Sequence, residues 1–340
     1  MGARDCALYF VWFSERNILN YPVNKHNSLL HARIYCDKML YMSLRDLWMR
    51  IYIARREKYA NYDLRYEEVT VERNIRYGDR KSQTFSLYRK SAKPLPTFIY
   101  FHGGALAGRN KNCRRAFCAE LAKMGLAVLN VEYRGEVNLG AKECLKEAET
   151  ILAFLKEHYS SLALNLDKLF IGGDELGAYI ASYLGSQVEK YDLRPLGIVL
   201  FSGFYDAIRH AKGNSYYSTQ YRFIKKFFKI DLKKAHWDSS VSNTLADMSV
   251  IRRIDEEYPP TFICHSVYDE FMPEQGNAMV KALKQKNVYC FEFKAVFEKE
   301  YHNFQLNRKS LSAKAVKEYL TTFIEEALDG GIYRNEHREI

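Results

Sequence analysis

The 340-residue chain has no apolar run long enough to cross a bilayer, which argues against a membrane-spanning helix. No secretory leader is evident. The most apolar N-terminal stretch, Cys6 to Phe13, is short, Arg4 is followed at once by Asp5, and Ser14-Glu15-Arg16 does not resemble a cleavage site. There is no C-x-x-C pair. The seven cysteines (Cys6, Cys36, Cys113, Cys118, Cys144, Cys264, Cys290) are odd in number and scattered, which speaks against a disulfide framework. Free buried thiols in a reducing compartment are expected, and the expected location is cytoplasmic. Internal repeats, low-complexity tracts and nucleic-acid-binding motifs are also missing. Without such a motif, the net charge of +10 and the pI of about 9.0 are read as a solvated, lysine-rich surface, and nucleic acid is not an expected partner.

The composition, 47% hydrophobic and 27% charged, supports a large core and suits one big α/β domain or two modest ones. Residues 1–60 are aromatic and basic. Within them, 43–56 carries Leu44, Leu47, Trp48, Ile51 and Ile53 at helical spacing, which predicts an amphipathic helix that serves as a cap or lid element. From residue 65 the pattern changes. Strands are expected over 66–72, 84–88, 97–101, 127–131, 169–172, 196–201, 261–264 and 288–294. Helices are expected over 113–123, 141–157, 273–286 and 313–328, with a further helix starting near 176. Hydrophobic strands alternating with helices imply an α/β fold: a mostly parallel sheet covered on both faces and opened by an antiparallel hairpin. The domain so defined runs over 61–328, and 329–340 is a peripheral tail that begins with a glycine stop signal. An insertion at about 204–252 is too long for a loop and reads as a helical cap.

That insertion interleaves Arg209, His210, Lys212, Arg222, Lys225, Lys226, Lys229, Lys233 and Lys234 with aromatic residues. A basic lid touching anionic lipid is one reading. An ordinary helical cap with a lysine-rich outer face is the preferred one. The oligomeric state is left open by the sequence.

The stretch Leu169-Phe-Ile-Gly-Gly-Asp-Glu-Leu-Gly-Ala178 reads as a buried strand, a tight turn and the start of a helix. Strand and helix backbones pass close together in such an elbow, so small residues are needed two before and two after its tip. Gly173 and Gly177 meet that need for position 175, which is Glu175. Asp174 as the tip would require small residues at 172 and 176, and Leu176 is not small. Three other pieces follow strands. His102-Gly103-Gly104-Ala105 has glycines that let backbone N–H groups face a cleft. Asp269 lies just after the 261–264 strand, with Glu270 as its nearest competitor, and His302 lies between the last strand and the last helix. The order elbow, acid, histidine puts each at a strand's C-terminal end, where open α/β sheets carry their sites.

With these residues in view, the sequence resembles the α/β-hydrolase superfamily and, within it, the hormone-sensitive-lipase-like esterase/lipase branch. The resemblance covers about 65–328. It rests on His102-Gly103-Gly104 against the family's H-G-G-G, Glu132-Tyr133-Arg134 against its Y-R, and Gly173-Asp174-Glu175-Leu176-Gly177-Ala178 against its G-D-S-A-G-G. Pro259-Pro260, Asp269 and His302 complete it. The resemblance implies a carboxylic ester hydrolase with a nucleophile at position 175, Asp269 and His302 behind it, and an oxyanion hole from the amides of Gly103, Gly104, Ala105 and Leu176. His102 would shape the loop. No cofactor or metal is implied, and the ligand would be a small apolar ester. Ala105 departs from the third glycine, Gly135 to Gly140 replaces the segment that normally follows Y-R, and Glu175 stands where the family has serine.

A glutamate at a helix N-terminus, opposite oxyanion amides, is in a place that favours negative charge. It is expected to fill the oxyanion hole, pair with His302 and block ordinary serine-esterase chemistry. The alternatives are a covalent glutamyl intermediate, attack by another group such as Cys264 or Ser266, and a non-catalytic role binding a small ligand or a protein. Cys264 is read as strand packing, Ser266 lacks an elbow, and Ser202-Gly203 is read as a turn.

Overall fold

A computed structural model describes residues 47, 51, 68–104, 110–133, 140–212, 219–231, 239–269, 274–297, 300–307 and 309–332. Eight strands form one sheet: β1 (Thr70–Arg76), β2 (Thr84–Arg89), β3 (Leu95–Phe101), β4 (Ala127–Val131), β5 (Leu164–Asp174), β6 (Gly197–Phe201), β7 (Thr261–Ser266) and β8 (Cys290–Ala295). Their spatial order is β1-β2-β4-β3-β5-β6-β7-β8. The β1/β2 and β2/β4 pairs are antiparallel and all the others are parallel. From residue 68 onward, the helices among the described residues are α1 (Arg115–Lys123), α2 (Ala141–His158), α3 (Leu176–Gly185), α4 (Ala207–Lys212), α5 (Thr219–Phe227), α6 (Ser239–Asp247), α7 (Gln275–Gln285) and α8 (Leu311–Leu328).

The continuous apolar strands are buried on both faces, as a parallel sheet between two helical layers requires. Every residue of β4 and β6 is buried. Alternation sorts their side chains into two cores. Ile99, Phe101, Leu129, Ile171, Leu200 and Ile263 face one way and pack with α2, α3 and α7. Phe98, Tyr100, Val128, Phe170, Val199 and Phe262 face the other way and pack with α1 and α8.

Among the boundaries that differ from the sequence pattern are those of the first, the elbow and the last strands. The first strand is Thr70–Arg76 rather than 66–72. It is the sheet edge, mostly exposed, and its register shifts between Glu72 and Ile75 around Asn74 at φ 58°. A hydrophobic pattern specifies such an edge weakly. The elbow strand begins at Leu164 rather than 169, because Leu95 pairs with Leu164 before a register shift at Pro96/Thr97. The last strand is Cys290–Ala295 rather than 288–294.

Among the described residues, three helices and a short turn at Val250–Arg252 lie between β6 and β7. Phe223, Phe227 and Phe228 are buried against Phe204, whose ring stacks on Tyr179 of α3 at 4.3 Å. Lys225, Lys226 and Lys229 are exposed. Lys225 pairs with Asp231 at 2.6 Å and Arg209 with Asp206 at 3.6 Å. Of the expected N-terminal helix, only Leu47 and Ile51 are described, both helical and exposed. The rest of 1–60, and the tail from 333 onward, lie outside the described residues. The glycine stop is visible at Gly330, with φ 71°.

Candidate active site

Because β3 and β5 to β8 run parallel, their C-terminal ends share one edge of the sheet, and β4, parallel to β3, ends there as well. The segments leaving that edge carry His102 to Gly104, Glu132, Glu175, Asp269 and His302. The sheet topology therefore gathers residues up to 200 positions apart.

Glu175 forms the turn between β5 and α3, at φ 53° and ψ −115°. A non-glycine residue holds positive φ only where its surroundings over-determine it. Here they do. The Glu175 N–H donates to the Phe201 carbonyl (3.0 Å), and its own carbonyl accepts the Tyr179 N–H (3.2 Å). A Cβ on Gly173 would lie 2.5 Å from the Phe101 carbonyl oxygen, and one on Gly177 only 2.0 Å from it. The spacing rule read from the sequence thus has a physical cause in β3, which passes directly beside the elbow.

The Glu175 side chain, 12% exposed, reaches across the turn. Its Oε2 accepts the Gly104 N–H at 2.9 Å and lies 3.8 Å from Nε2 of His302. Nδ1 of the buried His302 donates to the Asp269 carboxylate at 2.9 and 3.0 Å. Burial alone would pull the His302 pKa down. The Asp269 charge and hydrogen bond, reinforced by Glu175, outweigh that and push it up to about 10. At neutral pH the imidazole is therefore a cation between two carboxylates.

The described start of the loop after β3, His102 to Gly104, is held by close packing and hydrogen bonds. Gly104 has φ 92°, and a Cβ on Gly103 would sit 2.6 Å from Asp174 Oδ2. His102 is buried, with Nδ1 2.8 Å from the Gly103 carbonyl and Nε2 3.3 Å from Glu132 Oε1. It stacks on Tyr133 at 4.7 Å, and the Tyr133 hydroxyl donates to the His102 carbonyl. The second Glu132 oxygen accepts the Lys111 N–H at 2.9 Å. His102, Glu132 and Tyr133 therefore shape the loop. Ala105 and Arg134 lie outside the described residues, as does Glu270. Leu176 is the first residue of α3, where N–H groups have no partner within the helix.

Of the substitute nucleophiles, Cys264 is buried inside β7, and burial pushes its thiol pKa well up. The Ser266 hydroxyl donates to the Glu300 carbonyl and accepts the Tyr268 N–H (3.0 Å). Among the described residues no group of three His, Cys, Asp or Glu side chains could hold a metal ion.

Sequence reasoning missed Arg114, Tyr100 and Asn303, which surround Asp174 on the far side of the elbow. A signal for Arg114 existed. In the helix expected over 113–123 it falls at helical spacing from Cys118 and Leu121, which are buried, so the pattern put a charge on an apolar stripe, although the structure places Arg114 in the turn just before α1. The partner of that charge could not be read from the helix.

The comparisons agree with this architecture. A family model described as the alpha/beta hydrolase fold matches residues 98–306. The chain belongs to that family, in its esterase/lipase-like branch. It is 28% identical to Lipase 2 of a Moraxella species over 127 residues, 35% of this chain and 29% of that protein. It is 22% identical to the acetyl esterase of Salmonella enteritidis over 222 residues, 63% of this chain and 66% of that protein. The first curated relatives are matched over only 24% to 46% of their own lengths. Esterase B from Lactobacillus rhamnosis superposes with a TM-score of 0.69 at 20% identity, covering 87% of this chain and all of that one. No helix among the described residues is long and apolar enough to cross a membrane.

Proposed function

We propose that this protein is an esterase/lipase-like α/β-hydrolase whose ester-hydrolysing site is blocked by its own Glu175. One observation carries the reading: the Glu175 carboxylate sits on the Gly104 N–H, at 2.9 Å, and faces the His302 imidazolium at 3.8 Å. A serine hydrolase uses those two groups to hold a developing oxyanion and to take the nucleophile's proton. Here the first is occupied, and the second is already protonated at neutral pH. The Asp269–His302 pair and the Gly104 N–H facing the tip of the elbow support reading the change at position 175 as the one that blocks the chemistry.

A glutamyl-ester mechanism is disfavoured by the same contact. The extra methylene moves the attacking oxygen away from where a serine hydroxyl would sit, and the oxygen nearest His302 would have to give up its hydrogen bond to the Gly104 N–H before it could attack. In this reading the site at the C-terminal edge of the sheet holds a small apolar, ester-like ligand without turning it over, and the protein works in the cytoplasm.

A serine-directed fluorophosphonate tests the reading. The wild type is expected to remain unlabelled, with no turnover of short-chain p-nitrophenyl esters above background. Glu175→Ser is expected to gain labelling. Robust wild-type turnover that disappears in Glu175→Gln would sink the proposal.

A further inference from the structure

The carboxylate next to Glu175 is more deeply engaged than Glu175 itself. Asp174 ends β5 and is completely buried. Its Oδ1 accepts from the Tyr100 hydroxyl (2.7 Å), the Gly103 N–H (3.1 Å) and Nε of Arg114 (2.9 Å). Its Oδ2 accepts from Nη2 of Arg114 (2.5 Å) and Nδ2 of Asn303 (3.3 Å). These donors come from β3, the oxyanion loop, the turn before α1 and the His302 loop. Two of them adjoin the reacting groups of the proposed site: Gly103 precedes Gly104, and Asn303 follows His302.

Asn303 is held from both sides. It sits at φ 56°, its N–H donates to Ser202 Oγ (3.2 Å), and its Oδ1 accepts from Nε2 of Gln305 (3.2 Å). Arg114 is as buried as Asp174, and its fork fixes the orientation of both carboxylate oxygens. A buried ion pair is a poor source of stability, because desolvation offsets most of the attraction. What this one supplies is placement. Its charge holds the Asp174 pKa down, through the Arg114 charge and hydrogen bonds from Arg114 and Tyr100, against a burial effect that would raise it.

We infer that Asp174, oriented by Arg114, is a positioning residue that sets the oxyanion amides and His302 at a fixed distance from each other. One carboxylate behind the elbow spans both halves of the site, so Glu175, or a serine in its place, meets them in register.

The direct substitution, Asp174→Asn, leaves the Arg114 charge buried without its carboxylate and is expected not to fold. Two gentler variants keep the ion pair. Asn303→Gly retains the positive φ and removes the amide. Tyr100→Phe retains the ring and removes the hydroxyl. The readout is the titration of the His302 ring by NMR, with Ser310→Ala as a control. Ser310 caps α8 through its contact with Ala313, so its loss weakens the fold without touching Asp174. Asn303→Gly is expected to move the His302 midpoint by about one pH unit or more, and Tyr100→Phe in the same direction. Ser310→Ala should leave it in place. In the Glu175→Ser background, which rests on the functional reading above, Asn303→Gly should slow fluorophosphonate labelling by about tenfold or more. Midpoints in both variants equal to that of the control would overturn the inference. If Glu175→Ser alone is not labelled, the hydrolase reading fails, and the His302 titration still decides the positioning role. Should Asn303→Gly not fold, Tyr100→Phe carries the test.

Discussion

A carboxylate at position 175 changes what the neighbouring histidine can do. With serine at the tip, His302 would face a neutral hydroxyl. With Glu175 it faces a second anion, and its pKa is pushed up to about 10, chiefly by Asp269 acting against burial, with Glu175 adding to it. Replacing Glu175 by Gln keeps an acceptor for the Gly104 N–H and removes one of the two charges. The His302 midpoint is then expected to fall but to stay above the ordinary histidine value, because Asp269 remains, and the change is readable by NMR on ring-labelled protein. An unchanged midpoint would mean that Glu175 does not interact with the imidazole. The sequence displayed Glu175, Asp269 and His302 in their order, because strand ends and glycine spacing are local signals. It could not display the direction of the Glu175 side chain, which is set by Gly104 across the turn. The four partners of Asp174 were hidden for the same reason. They come from positions 100, 103, 114 and 303, and only the closed fold brings them together.

At the scale of elements, the elbow is a contact between three backbones. β3, the end of β5 and the start of α3 approach so closely that neither Gly173 nor Gly177 can bear a side chain. Gly177→Ala places a methyl 2.0 Å from the Phe101 carbonyl oxygen, which is backbone and cannot rotate away. The expected cost is ~3 kcal/mol or more, measurable as a lower urea midpoint. Gly125→Ala is a useful contrast. Gly125 has open space around it, so only its φ of 90° resists the substitution and the loss should be smaller. The buried strands β3, β4, β6 and β7 were legible because apolar runs bounded by turns have few other uses. β1 was displaced in register because an edge strand with an exposed surface carries little pattern. The early part of β5 was missed because Asn165, Asp167 and Lys168 are polar there. Pairing with β3, rather than hydrophobicity, extends the strand.

For the whole molecule, the same histidine predicts a dependence of stability on pH. Its folded pKa lies above the ordinary 6.5, so the folded state binds the proton more tightly than the unfolded chain. The resulting stabilisation is fully present below pH 6.5 and is lost as pH rises through about 10. Urea midpoints measured across that window should decline, and less steeply in Glu175→Gln. Above pH 10 the buried tyrosines Tyr77, Tyr100 and Tyr133 act in the same direction, since burial raises their pKa values and only the unfolded chain ionises readily there.

The sequence by itself determined the α/β class, the two-faced sheet, the elbow and the identity of the residue at its tip. Those follow from periodicity, turn chemistry and steric need over a few neighbouring residues. The tertiary structure alone decided that the Glu175 carboxylate lies on the Gly104 amide, that His302 is held as a cation, and that Arg114 and Asp174 form a buried pair behind the site. Those are contacts between segments far apart in the chain. Their energies depend on distance and burial, which only the folded arrangement of strands supplies.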